Sequence, residues 1–248
     1  KVFDNGGPRK RLNVKIARGL AKLRDRVKNL EELQLANALS TGKAIIQGKD
    51  VDYEVDFQMD PTHIIALTGT AQWDDPLSTK EKDLRDAAQL PGRKGAPAPN
   101  RCIMGFEAGI LWSNDENVKQ DLDLKNYNTG HIDFKQTDEN RATYIGHYKS
   151  VGISQEMWTY QAQYTDANGD AQFYLDPYGV IMGSTAARVE AHYGMIENLN
   201  HGTFMGKEFP DFITDPKGRF ADLTLESGPL IAVHQPDAFV YLKVKVTA

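Results

Sequence analysis

Residues 8–57 read PRKRLNVKIARGLAKLRDRVKNLEELQLANALSTGKAIIQGKDVDYEVDF, a long helical pattern running straight into an alternating one. Apolar residues fall at Leu12, Ile16, Leu20, Leu23, Val27, Leu30 and Leu33, spacings of three and four that trace one stripe along a helix. Pro8 suits the first turn, and Gly42 suits the position just past the end, where a left-handed residue closes the last carbonyls. A helix from Pro8 to Thr41 at about 1.5 Å per residue is a rod of about 50 Å, far longer than the average helix of a compact domain. Such length needs a structural reason, either spanning a domain or running beside a neighbouring chain. Gly19 in its interior predicts a bend or a close contact.

The run STGK at 40–43 imitates the end of a phosphate-binding loop. Asn37 stands where that loop needs its first Gly, Ala44 stands where a hydroxyl must reach the metal, and a helical rather than a strand pattern precedes it. The same residues read better as a hairpin: Lys43 to Gln47 one strand, Gly48-Lys49 a two-residue turn, Asp50 to Phe57 the returning strand. Alternation puts Val51, Tyr53, Val55 and Phe57 on one face and Asp50, Asp52, Glu54 and Asp56 on the other. Like charges about 7 Å apart repel in water by about 0.6 kcal/mol, so the row favours a basic partner. Plain solvation that protects an edge strand explains it too. A calcium site fits less well, because hard cations gather oxygens around a turn rather than along a strand. The third reading is complementarity to the basic helix of another subunit.

Charge is divided along the chain. Net charge is −5, yet the first 28 residues hold ten basic side chains (Lys1, Arg9, Lys10, Arg11, Lys15, Arg18, Lys22, Arg24, Arg26, Lys28) against Asp4 and Asp25, a net +8. The remaining 19 basic and 32 acidic residues give −13. A positive element in an acidic protein seeks a negative surface, either packaged nucleic acid or another copy of the chain. A solvated flank is the plainer reading, and the rod's length weighs against it. At 248 residues, 40% hydrophobic and 25% charged, the chain can bury a large core in one domain or two intimate ones. No apolar run reaches the roughly 18 residues of a membrane span, and no secretory signal is visible, though the chain begins at Lys1 without a methionine. A single cysteine, Cys102, excludes an internal disulfide and reads as a small buried hydrophobe with no base nearby to activate it.

Further along, His63 to Thr68 predicts a short strand, and WDDPLSTKEKDLRDAA a helix capped by Asp75 with Pro76 in its first turn. LPGRKGAPAPN, 90–100, is the clearest compositional break and reads as a linker or exposed loop. RCIMGF predicts a strand, FEAGILWSN a short buried helix, and DENVKQDLDL a second helix capped by Asn114 or Asp115. ISQEMWTYQAQY, AQFYL and VIMGS, separated by the turns TDANGD and DPYG, read as a β-meander. Asp166, Asn168 and Asp170 imitate part of a calcium loop, but the Gly is misplaced and the distal Glu absent, which favours a tight turn. More strands follow, broken at Gln235-Pro236-Asp237, so the class is α+β. No catalytic, metal or dinucleotide motif appears. His63, His131, His147, His192, His201 and His234 are each better read as surface or satisfied core residues, and His131-Ile132-Asp133 lacks a third ligand. The aromatics Tyr144, Tyr148, Trp158 and Tyr160 are not interleaved with basic residues, which argues against a single-strand nucleic-acid platform.

Taken in order, the basic helix, LSTGKAIIQGKDVDYEVDF, AQWDDPLSTKEKDL, RCIMGFEAGILWSNDENVKQDL, FYLDPYGVIMGSTAARVEAHYGMI and ESGPLIAVHQPDAFVYLKVKV resemble the lambda-like phage major capsid protein E family, over nearly the whole chain. The resemblance implies the shell fold of tailed phages named after the Hong Kong phage capsid. It implies a peripheral domain at 8–90, with spine helix 8–41 and hairpin 43–57; an axial domain at 91–202; and strands at 203–248 returning to the peripheral domain. Residues 1–7 would be the remnant of an N-terminal arm and extended loop that the family carries before the spine helix, which leaves the assembly competence of this chain open. The implied role is a structural head subunit, without catalysis or cofactor, that self-assembles into pentamers and hexamers of an icosahedral shell around double-stranded DNA. Implied partners are other copies, a portal, scaffold and decoration proteins, and packaged DNA held by non-specific electrostatics, with no membrane; the place is the virion, assembled in the host cytoplasm. Residues implied to face neighbours or DNA are Arg9, Lys10, Arg11, Lys15, Arg18, Lys22, Arg26, Asp50, Asp52, Glu54 and Asp56. Two other readings stand beside it: a bacterial nanocompartment shell of the same fold, and a hydrolase whose His and Asp residues converge in a pocket.

Overall fold

The computed structural model describes residues 8–48, 51–119, 135–137, 141–166, 168–198, 201–215 and 221–246. The chain falls into two compact units, residues 1–34 with 191–232, and residues 35–190 with 233–248.

Helix α1 spans Pro8–Thr41, as its periodicity predicts. Gly42 ends it with φ 72°, its N–H reaching the Ala38 carbonyl at 3.0 Å. Strands β1 (Lys43–Gly48) and β2 (Val51–Asp56) form the expected antiparallel hairpin. Its turn lies one place later than Gly48-Lys49. Gly48 pairs with Val51, so Lys49 and Asp50 connect the strands, and both lie outside the described residues. The register is set at the open end, where Phe57 N–H bonds the Gly42 carbonyl at 2.9 Å and Lys43 faces Asp56.

The larger unit is organised on a seven-stranded sheet. Its components, in chain order, are β3 (Ile64–Ala66), helix α2 (Lys80–Arg93), β4 (Arg101–Gly105), helix α3 (Phe106–Ser113), β5 (Lys135–Thr137), β6 (Ala142–Ser150) and β7 (Ile153–Tyr160). After the small hairpin of β8 (Gln163–Thr165) and β9 (Ala171–Phe173) comes β10 (Gly179–Gly183). Strands β11 (Val189–Tyr193), β12 (Met195–Asn198), β13 (Gly202–Met205), β14 (Phe209–Thr214), β15 (Ala221–Glu226) and β16 (Pro229–Val233) follow, and β17 (Phe239–Lys243) returns to the sheet. The strand order is β3-β17-β10-β4-β7-β6-β5. The expected meander holds only at the β8–β9 hairpin: β7 pairs with β6 and, in parallel, with β4, whereas β10 sits between β17 and β4. Alternation identifies a strand but not its partner.

Burial explains the central strands. Val180 and Met182 of β10, Val240 and Leu242 of β17, and Cys102 and Met104 of β4 face a core built with Trp73, Leu84, Trp112, Tyr148 and Met157. Their alternating neighbours Ile181, Phe239 and Tyr241 face a second cluster with Ala38, Leu39, Met59 and Leu175. Period-two alternation thus feeds two apolar layers, which is why these strands read as near-continuous apolar runs. Burial pushes the Cys102 thiol far above its ordinary pKa and keeps it inert, as its sequence context suggests. It also raises the Tyr241 hydroxyl to about 12, helped by Asp176.

Two boundaries differ from expectation. Asp75 accepts a bond from Leu77 N–H at 2.8 Å and closes a turn, and α2 starts only at Lys80. The helix then runs through Pro91 to Arg93, so the irregular segment begins at Lys94 rather than Leu90; Pro91 is buried, and its carbonyl accepts from Lys94 N–H and Ala96 N–H, both at 3.0 Å, where the helix stops. Asp115 caps the following turn, accepting from Asn117 N–H at 3.0 Å and Val118 N–H at 3.2 Å. The Asp166 carboxylate likewise accepts from Asn168 N–H and Asp170 N–H, both at 2.9 Å, which makes the suspected calcium loop a tight turn. The backbone bond from Asp170 leads in holding its pKa below the usual range.

Lys80 and Asp115 form a nearly buried ion pair at 2.8 Å, with side chains 9% and 11% exposed. Burial opposes the Asp115 carboxylate, but the bonds from Lys80 and from Val118 N–H prevail and its pKa stays below the ordinary value. Because the folded pKa is lowered, this contribution is complete above about pH 4 and is lost as pH falls through the folded value. Lys80→Met leaves Asp115 unpaired and should cost about 3–5 kcal/mol in urea unfolding. At Gly105 an added Cβ would lie 2.3 Å from the Asp176 carbonyl and 2.5 Å from that of Pro177, both backbone atoms. Gly105→Ala should therefore lower stability by about 1–3 kcal/mol or more, read as a drop in urea midpoint at unchanged slope.

Candidate assembly surface

Within the smaller unit, α1 up to Gln34 has two sides. At 3.6 residues per turn, Gly19, Gln34, Glu31 and Arg24 fall within about 140° of arc, and each engages residues of 191–232. Gly19 allows close approach, since a Cβ there would sit 2.8 Å from Leu223 Cδ2; of the two outcomes expected for it, a close contact is the one observed. Gln34 is buried, its Nε2 donating to the Pro229 carbonyl at 3.0 Å and its Oε1 accepting from Ile231 N–H at 3.1 Å. Glu31 accepts from the Tyr193 hydroxyl at 2.8 Å and pairs with Lys207 at 3.3 Å, while Lys207 lies 5.2 Å from the Tyr193 ring centre. Arg24 Nε donates to Glu208 at 2.8 Å, a bond that leads in lowering the Glu208 pKa.

The other side of the helix is cationic. Lys15, Arg18, Lys22 and Arg26, with position 11 completing the row, fall within about 80° of arc. Lys15, Arg18, Lys22 and Arg26 are exposed and make no ion pair among the described residues. Spacing puts positions 9 and 10 off this row, so the seven helix residues singled out from sequence do not form one face; the side chains of Arg9, Lys10 and Arg11 lie outside the described residues.

In the larger unit, the hairpin places Glu54 and Asp56 on one side with Lys43 and Ile45, because Lys43 faces Asp56 and Ile45 faces Glu54. The acidic row is therefore not purely acidic: Lys43 bonds Glu54 at 2.7 Å across exposed side chains. Asp56 accepts from Gln58 N–H at 2.7 Å and shapes the exit of the hairpin, where Gln58 takes φ 58°. Ile45 and Tyr53 are 40% and 50% exposed. Asp50 and the side chain of Asp52 lie outside the described residues.

Among the described residues, an apolar cavity of about 220 Å³ in the larger unit gathers none of the His or carboxylate groups a hydrolase would need. It is lined by Leu35, Leu39, Ile103, Ile181, Val189 and Phe239, with Arg101, Ser184 and Thr185 as its polar groups. His63 is buried with Nδ1 3.0 Å from the Phe239 carbonyl, and His147 Nε2 lies 3.1 Å from Ser154 Oγ. His131 lies outside the described residues. Among the described residues, no helix is long and apolar enough to cross a membrane.

Comparison with known proteins places this architecture. A family model described as phage major capsid protein E matches residues 1–244. No curated protein sequence matches the chain. The crystal structure of the capsid protein assigned to a prophage of E. coli CFT073 superimposes with a TM-score of 0.79 at 19% identity, over 99% of this chain and 71% of that one. A phage-related protein from Bordetella bronchiseptica RB50 gives a TM-score of 0.56 at 13% identity, over 92% of this chain and 66% of that one. At these identities the likeness is one of fold. Gln34 joins the helix to the β16 backbone in the core of the smaller unit, so Gln34→Leu, which strands a carbonyl and an N–H, should cost about 1–3 kcal/mol in thermal or urea unfolding.

Proposed function

The chain belongs to the phage major capsid protein E family, and from that premise we propose that its copies assemble as pentamers and hexamers into an icosahedral phage head that encloses double-stranded DNA. The coarse role, a capsid-type shell subunit, is that of the family. The observation that carries the finer reading is the family match over residues 1–244 together with the fold shared with the prophage capsid protein. Surface chemistry supports it. Met195 and Met205 face each other across β12 and β13 at 58% and 83% exposure, and Phe212 and Ile213 of β14 are also exposed. Exposed apolar side chains such as these suit a surface covered by neighbours. Interfaces of a permanent shell sum well above about 1,000 Å² per subunit.

In this reading residues 8–90 and 203–248 are largely peripheral and 91–202 largely axial, the terms describing position in the capsomer rather than contact within one chain. The partners are other copies, with portal, scaffold and decoration proteins at later steps, and packaged DNA is met by non-specific electrostatics. The subunit resides in the virion after assembly in the host cytoplasm, and its work is structural rather than catalytic. Negative-stain microscopy of the full-length polypeptide expressed alone is the direct test. Closed hollow particles or free five- and six-membered rings are expected; a monodisperse monomer at millimolar concentration would overturn the reading.

A further inference from the structure

We propose that the cationic side of α1, formed by Lys15, Arg18, Lys22 and Arg26, docks on the acidic side of the β1–β2 hairpin of a second copy of the chain; this rests on the shell-subunit reading above. The two compact units carry opposite charge. Residues 1–34 with 191–232 hold 13 basic and 10 acidic side chains, a net +3, and the rest of the chain holds 16 basic and 24 acidic, a net −8. Each copy therefore offers one attractive surface of each sign to its neighbours.

The local chemistry narrows the match. In the same unit Arg24 and Lys207 are ion-paired, whereas the four stripe cations have no ion pair among the described residues. Their axial steps are about 4.5–6 Å, close to the roughly 6.8 Å between alternate residues of a strand, so Glu54 and Asp56 can meet successive cations. The Lys43–Glu54 pair does not block this, because both side chains are nearly half exposed and such a pair exchanges at little cost. Apolar groups decide between a protein and a nucleic acid as occupant. Val14 beside the stripe is 45% exposed, and Ile45, on the same side of the hairpin as Glu54, is 40% exposed. A phosphate backbone has no use for either, whereas a protein surface covers both. The contact is head-to-tail, joining unlike patches, and such contacts close into rings when the rotation between copies permits.

Charge reversal in the full-length protein tests this. Lys15→Glu/Arg18→Glu/Lys22→Glu should weaken association at least about tenfold by analytical ultracentrifugation at low salt, and Glu54→Lys/Asp56→Lys should do the same. Combining both sets in one chain, or mixing the two variants, should restore assembly. Circular dichroism checks folding, and Gln replacements on the stripe serve if the Glu set fails to fold. An unmodified chain that never associates defeats the shell reading itself. An unmodified chain that associates while either reversal leaves it unchanged, or whose combined variant is not rescued, overturns the docking alone. So does a stripe reversal that leaves assembly intact but abolishes retention of a short DNA duplex.

Discussion

The larger unit depends on burying β10 and β17 on both faces at once. Every residue of Gly179–Gly183 and of Phe239–Leu242 is buried, and their side chains divide by parity between two apolar layers. Burying each such Val, Leu or Phe contributes about 1.5–3 kcal/mol relative to exposure, so neither layer can be given up without unfolding the sheet. Glycines make the crossing of layers feasible. At Gly183 a Cβ would lie 2.4 Å from the Phe239 ring, and at Gly179 it would lie 3.0 Å from that of Tyr241. Helices α2 and α3 contribute Leu84, Ala87, Ala108 and Trp112 to one layer, and the end of α1 contributes Ala38 and Leu39 to the other.

Helix α1 divides its labour around its circumference. One side is committed to its own chain by Gln34, Glu31 and Arg24, through hydrogen bonds to backbone and side chains distant in sequence. The remaining side carries cations with nothing to neutralise them among the described residues. Elsewhere, lysines and arginines such as Lys94, Lys243 and Lys245 each meet a carboxylate. Lys94 provides the leading bond that holds the Asp60 carboxylate well below its usual range. A row of cations left unpaired along one side of a helix gives a surface chemistry directed outward, in keeping with a protein whose family builds shells.

Elements governed by local chemistry were legible from residues alone. The span of α1 followed from a three-and-four repeat between Pro8 and Gly42, and β4 with α3 followed from RCIMGFEAGILWSN. What failed was non-local. The start of α2 differs from its local signal because Asp75-Pro76 is a good helix opening by itself, yet Ser78 N–H bonds the Asp75 carbonyl and closes a turn first. Beyond the β8–β9 hairpin the meander does not form, because strands that follow one another need not pair, and β17 enters between β3 and β10 from far along the chain. Of the candidate surface, the cationic row was visible as residue types but its membership needed the helical phase. Gln34 gives only the faint signal of a polar residue beside an apolar stripe; its partners lie 195 and 197 residues away, beyond any pattern in sequence.

The position of β17 has a consequence for how the polypeptide is made. Strand β4 is complete at Gly105, but the sheet it belongs to lacks the neighbour of both β3 and β10 until Phe239–Lys243 has left the ribosome. From the completion of Gly183 until then the apolar edge of β10 has no cover, a state in which it is open to pairing with other chains. Translation itself thus times when a copy acquires its finished surfaces.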